Sequence, residues 1–321
     1  MKVYKIKPKN SFVGIKKYNI SKNKICISRK CGGYGDILVA RMIFEDIKNT
    51  NPDFDITFAL PTTFHQIVLD HPFIDSVKDC NEINHDDYIS LYDISTVCSG
   101  YEATQRKKLD KHRSDIWAES IGIKLKNHNM HLPHFEKYKN QIFENWKKLG
   151  YKEGQKIVAF SPRSAVQIRN LTDDAVLHIL KKLKRDDIFI YIINHIPIID
   201  YMHIPYCKGS NLIEAMSLID FSDGLISTDT GTLHCGGGYN KPILGIFNYT
   251  NGEIIGKYYE NLVIVQKNQK DDPSWTCGPC NDFAKCPYEI TNYILRCSKE
   301  ISHQMLDSGI DKFLQKLDLS N

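Results

Sequence analysis

The 321-residue chain lacks the features of membrane-spanning, fibrous or disordered proteins. It has no run of about eighteen apolar residues, no long low-complexity tract and no solenoid or propeller repeat. The basic first ten residues lack the apolar core and cleavage site of a secretory signal, which favours a cytoplasmic location. The net charge of +4 suits a small anionic ligand but is too small to argue for nucleic acid binding. The length predicts a globular protein of about two domains.

The chain also lacks the two common nucleotide-binding fingerprints. Residues 25–48 predict a strand, a glycine-rich turn and an amphipathic helix, and we name residues 29–36 the first glycine turn. Gly32, Gly33 and Gly35 allow a sharp turn and close approach of a ligand. No third glycine occupies the helix-packing position after Gly35, and no Gly-Lys-Ser/Thr follows, so NAD binding and ATP hydrolysis lose support.

Residues 225–249 predict an anion-binding cradle. A short apolar strand ends before Asp229, a helix begins near Gly231, and Pro242 opens another apolar run. The unpaired amides and the positive dipole end at a helix start suit a phosphate or diphosphate. We name residues 228–232 the second glycine turn. The plain alternative is an ordinary strand-to-helix turn with Asp229 as the N-cap.

Strands and helices alternate along most of the chain, which predicts two α/β domains with parallel sheets. The predicted divisions are an N-terminal Rossmann-like domain over 1–133, a linker helix within 134–154 and a C-terminal Rossmann-like domain over 155–321. A ligand is expected at the carboxyl ends of the strands, and hence in a cleft between the domains.

Three side chains in loops are candidates for the chemistry. Arg163 and Arg169 can grip diphosphate oxygens bidentately, although solvated loop charge is the alternative for both. Asp36 can act as a general base, and a role as helix N-cap is compatible with that use.

Four of the ten cysteines lie close together in sequence. Cys277, Cys280, Cys286 and Cys297 fall in a loop-rich segment, 275–298, with a spacing that can close tetrahedrally around zinc. Iron is a second metal that thiolates bind, and two disulfides or four unligated thiols are the remaining alternatives. With no evident open coordination position, such a metal would be structural.

Three segments resemble the ADP-heptose:lipopolysaccharide heptosyltransferase family, glycosyltransferase family 9. They are Gly35-Asp36 at the first helix, Asp229-Thr-Gly-Thr-Leu-His234 and Lys241-Pro-Ile-Leu-Gly-Ile-Phe247. The resemblance covers roughly residues 25–297. It implies a GT-B fold, in which two Rossmann-like domains face each other across a cleft, and an inverting reaction without a catalytic metal. The N-terminal domain is expected to hold the acceptor and the C-terminal domain the nucleotide sugar.

The resemblance assigns roles to individual residues. Asp36 matches the catalytic aspartate, beside the acceptor loop Gly33, Tyr34 and Gly35. Where the family usually carries Lys, an aromatic residue and Pro, this chain has Arg169 followed by Asn170 and Leu171. The residues expected to bind the donor are Arg163, Ser164, Arg169, Glu214, Asp229, Thr230, Gly231, Thr232 and His234. Glu214 is matched to a ribose-binding acid, and His234 to a histidine near the diphosphate, with a packing role as its alternative.

These observations predict an inverting glycosyltransferase that moves a heptose or related sugar from an ADP-sugar to a hydroxyl acceptor. Lipopolysaccharide or another glycan and a protein Ser/Thr are both admissible acceptors, and self-association is left open. One alternative is a GT-B enzyme that uses another nucleotide sugar. The other is a non-catalytic nucleotide-sugar-binding or assembly protein.

Overall fold

A computed structural model describes residues 23–105, 108–193, 204–209, 211–270, 272–275, 277–281, 286, 288 and 294–318. These residues form two compact units. Unit 1 contains 23–101 and 113–131, and unit 2 contains 102–112 with the described residues from 132 onward. Among the described helices, none is long and apolar enough to cross a membrane.

Unit 1 is built on a four-stranded parallel sheet with the order β3-β2-β1-β4. The strands are almost wholly buried in β1 and β2, as expected for a parallel sheet covered on both faces. Its elements are β1 (Lys24–Ser28), α1 (Tyr34–Ala40), α2 (Phe44–Thr50), β2 (Asp55–Leu60), β3 (Ser76–Asp79), β4 (Ser90–Asp93) and α4 (Arg113–Ser120). The helix α3 (Val97–Gln105) runs across the division between the units.

Unit 2 is built on a six-stranded parallel sheet with the order β10-β9-β8-β5-β6-β7. Its strands are β5 (Lys156–Ser161), β6 (Ile188–Ile193), β7 (Tyr206–Cys207), β8 (Gly224–Thr228), β9 (Ile243–Phe247) and β10 (Leu262–Gln266). Its helices are α5 (Lys139–Lys148), α6 (Asp173–Lys182), α7 (Leu212–Phe221), α8 (Gly231–Gly238), α9 (Gly252–Ile255), α10 (Arg296–Lys299) and α11 (His303–Asp318).

Each sheet has a point where the order of its strands reverses. In unit 2, the order from the β7 edge is the 3-2-1-4-5-6 arrangement of the Rossmann fold, and the reversal lies between β5 and β8. In unit 1 it lies between β1 and β4. Ligands of open parallel sheets bind outside the carboxyl ends of the strands at this point. Both glycine turns begin there, because the first follows β1 and the second includes the end of β8.

The predicted α/β class with parallel sheets is confirmed. The apolar spacing also predicts helices over 37–49 and 62–70, and both differ in detail. The helix expected over 62–70 is a 3-10 helix, Thr62–Ile67. The helix expected over 37–49 begins at Tyr34 and is interrupted by a 3-10 segment, Arg41–Ile43. The segment 134–154, predicted to hold a linker helix, contains the helix α5. The structure describes only part of the cysteine-rich segment 275–298, whose fold as a module stays a prediction.

Candidate functional site

The first glycine turn holds the carboxylate of Asp36 between two cations. The Gly33 N–H donates to Oδ2 of Asp36 at 3.0 Å. Nη1 of Arg113 donates to Oδ1, and Nη2 of Arg29 lies 3.4 Å from Oδ2. The side chain of Asp36 keeps 17% of its surface exposed. The two carboxylate oxygens therefore accept hydrogen bonds from one amide and one guanidinium and lie beside a second guanidinium.

The start of α1 differs in detail from the sequence prediction. Gly33 is the N-cap, and Asp36 occupies the third helical position, from which it accepts the N-cap amide. Asp36 therefore stabilises the helix start as the second half of a capping box rather than as the N-cap itself. Tyr34 is the first helical residue and Gly35 the second.

Sequence reasoning missed both arginines that contact Asp36. Arg29 follows β1 directly, is 4% exposed, and lies 4.6 Å from the centre of the Trp117 ring. Its Nη1 donates to the carbonyl of Ile94, just beyond β4. A buried arginine needs partners, and its position at a strand end beside a glycine turn was the available signal. Arg113 comes from α4, 77 residues away in sequence, and no local sequence pattern predicts its contact with Asp36.

The second glycine turn joins β8 to α8. Thr230 is the N-cap and has no side-chain cap bond, so the alternative with Asp229 as N-cap is wrong in detail. Thr230, Gly231 and Thr232 are half-buried, and Oγ1 of Thr232 lies 3.1 Å from Oγ of Ser227. The first amides of α8 have no intrahelical acceptor, so the turn can receive an anion.

Asp229 and Arg169 meet at this turn. Asp229 is 3% exposed, and its Oδ2 has no hydrogen-bond partner among the described residues. Nη1 of Arg169 lies 3.4 Å from that oxygen and 3.5 Å from the Asp229 carbonyl. The Thr228 hydroxyl donates to the Arg169 carbonyl, which fixes the loop against the end of β8. The arrangement brings a cation to the start of α8, as the sequence predicts for Arg169.

The other two residues predicted in the loop after β5 have bonds to the loop itself. Nη1 of Arg163 donates to the Leu171 carbonyl at 2.6 Å, and Nη2 pairs with Asp173 at 2.5 Å. The Ser164 N–H donates to Oδ1 of Asn170 at 2.8 Å. These contacts brace the loop against the start of α6. They give no support to a grip of Arg163 on the second glycine turn.

His234 and Glu214 lie on different helices. Nδ1 of His234 lies 2.6 Å from the hydroxyl of Tyr259, and burial raises the pKa of Tyr259 well above its ordinary value. The hydroxyl therefore stays protonated and is a hydrogen-bond partner of the His234 ring. Glu214 lies in the first turn of α7, and with Tyr138 and Lys208 it lines a cavity of about 550 Å³ between α5 and α7. None of the residues that line this cavity belongs to the second glycine turn.

The four clustered cysteines pack against one small hydrophobic core. Cys297 is 6% exposed and belongs to a buried group with Ile168, Tyr249, Trp275 and Leu295, on which Cys277, Cys280 and Cys286 pack. We name these four cysteines the cysteine cluster. Burial, together with the three other thiols, raises the pKa of Cys297 to about 12. All ten cysteines of the chain are free thiols. Among the described residues, no three His, Cys, Asp or Glu side chains form a group that could hold a metal ion.

Known proteins resemble part of the second unit by sequence and about nine-tenths of the chain by fold. The family described as glycosyltransferase family 9 (heptosyltransferase) matches residues 206–278, which include the second glycine turn. No curated protein matches the chain by sequence.

Several solved structures share the fold. A family 9 glycosyl transferase from Veillonella parvula is 14% identical with a TM-score of 0.68, over 92% of this chain and 97% of that one. E. coli ADP-heptose lps heptosyltransferase II is 11% identical with a TM-score of 0.64, over 91% and 99%. The iron-containing dodecameric glycosyltransferase TibC of enterotoxigenic E. coli is 14% identical with a TM-score of 0.67, over 91% and 76%. The fold is thus the GT-B fold of these glycosyltransferases, and residues 206–278 of the chain match glycosyltransferase family 9 by sequence.

Proposed function

We propose that the protein is an inverting glycosyltransferase that uses an ADP-sugar, with a heptose or a related sugar as the transferred group. The observation that carries the proposal is the second glycine turn. Arg169 and Asp229 meet there, at the start of α8 and at the reversal point of a Rossmann sheet. The turn itself lies within residues 206–278, the segment that matches family 9. E. coli heptosyltransferase II, which shares the fold, is named for ADP-heptose.

Unit 2 is proposed to bind the diphosphate of the donor. The amides of Thr230, Gly231 and Thr232 would donate to its oxygens, and the guanidinium of Arg169 would add a cation. His234 would lie near the diphosphate, with its Nδ1 at 2.6 Å from the Tyr259 hydroxyl. Asp229 would face the sugar, and Glu214 the ribose. For Arg163 and Ser164, the contacts within their own loop support only an indirect part, which is to keep that loop in place.

Asp36 of unit 1 is proposed as the general base. It would take the proton of the acceptor hydroxyl while that oxygen attacks the anomeric carbon, and the bond from this carbon to the diphosphate would break. A single displacement inverts the anomeric centre. The nucleoside diphosphate leaves with the bonding electrons, and the donors of the second glycine turn stabilise its charge. The backbone of Gly33, Tyr34 and Gly35 would approach the acceptor, which is a glycan or a protein Ser/Thr.

The cysteine cluster is proposed to hold a structural metal ion. Its four thiols are one donor set for zinc or iron and pack on the same buried core, and metal binding would require them to converge, since no three of them form a metal-holding group in the described residues. TibC, which shares the fold, is iron-containing. The test is metal analysis of protein purified without chelator. About one metal ion per chain is expected in the wild type and much less in Cys280→Ser, and a metal-free wild type would refute the site.

A donor screen tests the proposed activity. Thermal shift with ADP-heptose and with ADP-, GDP- and UDP-hexoses should give its largest increase for an ADP-sugar, because a ligand of the folded state stabilises it by RT ln(1 + [L]/Kd). Release of ADP with a candidate acceptor, and the anomeric configuration of the product by NMR, should then show turnover with inversion. A larger shift with GDP- or UDP-sugars would favour the GT-B alternative, and binding without turnover the non-catalytic one. No shift with any nucleotide sugar would refute the proposal.

A further inference from the structure

A chain of contacts joins the cysteine cluster to Arg169. Its first link is the backbone of Tyr249, just beyond β9. The N–H groups of Cys280 and Asn281 both donate to the Tyr249 carbonyl, at 3.1 and 2.8 Å. The side-chain oxygen of Asn281 accepts the Asn251 N–H at 2.9 Å. Three bonds therefore attach the segment that carries Cys280 to the strand end.

The second link is the side chain of Tyr249. Nε of Arg169 donates to the Tyr249 hydroxyl at 3.1 Å, and the guanidinium lies 5.9 Å from the centre of the tyrosine ring. Tyr249 is 6% exposed and packs in the same buried group as Ile168, the neighbour of Arg169, and Cys297. A tyrosine fixed at its backbone by one element and at its hydroxyl by another has little freedom to move.

The third link is Arg169 itself. Its Nη1 faces Asp229 in the second glycine turn, while its Nε is held by Tyr249. Nδ2 of Asn248 also donates to the Ile168 carbonyl at 2.7 Å. This bond attaches the backbone just before Arg169 to the end of β9. Free arginine side chains populate many rotamers, and ordering one at the moment of binding costs affinity.

We propose that Tyr249 is a positioning residue that transmits the order of the cysteine cluster to Arg169 and so sets the affinity for the nucleoside diphosphate. This inference rests on the proposed donor site in unit 2. The cysteine cluster then affects function without touching the substrate. It fixes residues 280–281, and these residues hold the backbone of Tyr249. The Tyr249 hydroxyl in turn orients the guanidinium of Arg169. The inference does not depend on which metal, if any, the thiols bind.

The first experiment measures the affinity of the full chain for ADP by titration calorimetry. Tyr249→Phe keeps the ring and the backbone bonds and removes only the hydroxyl, so binding is expected to weaken about tenfold, the scale of one hydrogen bond to a charged group. Tyr191→Phe is the matched control, since it removes another buried hydroxyl of unit 2, bonded to Ser222 at 2.9 Å. This control should bind ADP like the wild type. Equal affinities of Tyr249→Phe and the wild type would overturn the inference.

Double variants test whether Tyr249 acts through Arg169. The double variant Arg169→Ala/Tyr249→Phe should bind ADP no more weakly than Arg169→Ala alone, whereas two independent contacts would give additive losses. Turnover adds a readout that a merely structural role would not give: Tyr249→Phe should raise KM for the donor and leave kcat unchanged. Additive losses would show that Tyr249 does not position Arg169.

The last arm connects the cysteine cluster to this effect. Cys280→Ser should weaken ADP binding severalfold in the wild-type background and by much less in the Tyr249→Phe background, because the link is already cut there. Equal losses in both backgrounds would overturn the coupling. If the wild type itself does not bind ADP, the proposed function fails and this inference with it; if it binds and the variants behave independently, only the inference fails.

Discussion

The two glycine turns both lie at the point where the strand order of their sheet reverses, one after β1 and the other after β8, but they differ in the charged groups around them. In the first, the carboxylate of Asp36 is surrounded by two arginines and an amide, and the helix that follows has only seven residues. In the second, the buried carboxylate of Asp229 has one cationic partner, Arg169, and α8 begins with Thr230 as an N-cap that has no side-chain bond. The first turn thus presents a hydrogen-bond acceptor, and the second presents donors.

This difference separates the two halves of the proposed reaction. The Asp36 carboxylate can accept a proton, and it already occupies the Gly33 amide and the Arg113 guanidinium, so these donors are not offered to a diphosphate. The second turn has open amides beside a cation and is suited to it. The same local pattern of strand, glycine turn and helix is therefore proposed to accept a proton in one unit and to bind a diphosphate in the other. The difference comes from side chains distant in sequence, Arg113 at the first turn and Arg169 at the second.

The largest effect is expected from Asp36→Asn. The change removes the negative charge and most of the basicity with almost no change in shape, so kcat should fall by about 10²–10⁴ while the affinity for ADP is kept. Asp93→Asn is the matched control, because Asp93 ends the neighbouring strand β4 and its side chain is 45% exposed. Steady-state rates for both variants decide the point. Full activity of Asp36→Asn would remove the base from the proposed mechanism.

The second prediction compares two adjacent glycines of the first turn. Gly32 has φ +115°, and an added Cβ would lie 2.4 Å from Nη2 of Arg29 and 2.9 Å from Oδ2 of Asp36. Gly33 has φ −92° and open space around it. Gly32→Ala should therefore lower the free energy of unfolding by about 2 kcal/mol and disturb the Arg29–Asp36 pair. Gly33→Ala should be close to neutral in denaturant melts, and an equal loss of stability in the two variants would contradict this geometry.

The third prediction concerns acid stability of unit 1. Burial and the charge of Arg41 lower the pKa of His71 from 6.5 to about 2 in the folded chain. Between these values the unfolded chain binds one proton more than the folded chain, so stability falls as the pH falls below about 6.5, by up to about 1.4 kcal/mol per pH unit. The charged residues that shift the pKa of His71 all lie in unit 1.

The His71 effect can be isolated by substitution. His71→Asn should reduce the slope of unfolding free energy against pH between about 6.5 and 4.5, although it lowers stability at neutral pH by removing the bond from the ring to the Arg41 carbonyl. His85→Asn, at an exposed position of the same unit, should leave the slope unchanged. An unchanged slope in His71→Asn would show that other groups cause the acid sensitivity.

The smallest effect is expected from Arg163→Ala. Because Arg163 bonds to the Leu171 carbonyl and Asp173, its removal should loosen the loop after β5 and weaken ADP binding only two- to threefold, through the neighbouring Arg169. Calorimetric titration checks this. A loss as large as that of Arg169→Ala would mean that Arg163 contacts the diphosphate directly.

Sequence reasoning succeeded where the information is local. The alternation of apolar runs and turn residues predicted the parallel sheets. Local patterns could not find Arg113, which reaches Asp36 from 77 residues away, or Tyr249, whose hydroxyl meets Arg169 from 80 residues away. Such pairings depend on how elements pack in three dimensions.

Some misses had a readable signal. The helix α11 buries Leu306, Ile310, Phe313 and Leu317, which recur at intervals of three and four as an amphipathic helix requires, yet no helix was predicted there. At 41–43 and 62–67 the chain forms 3-10 helix where α-helix was predicted, and no signal in the sequence could have shown this. Short helices of both kinds have the same apolar spacing within one turn, so composition does not distinguish them.

The most direct test of the account is an ADP titration of the wild type, Arg169→Ala and Arg185→Ala. Arg185 pairs with Asp187 on the surface and is the control for the loss of one positive charge. The account predicts that the wild type and Arg185→Ala bind ADP equally and that Arg169→Ala binds at least tenfold more weakly. Equal binding by all three, or no binding by the wild type, would contradict the assignment of the diphosphate to the second glycine turn.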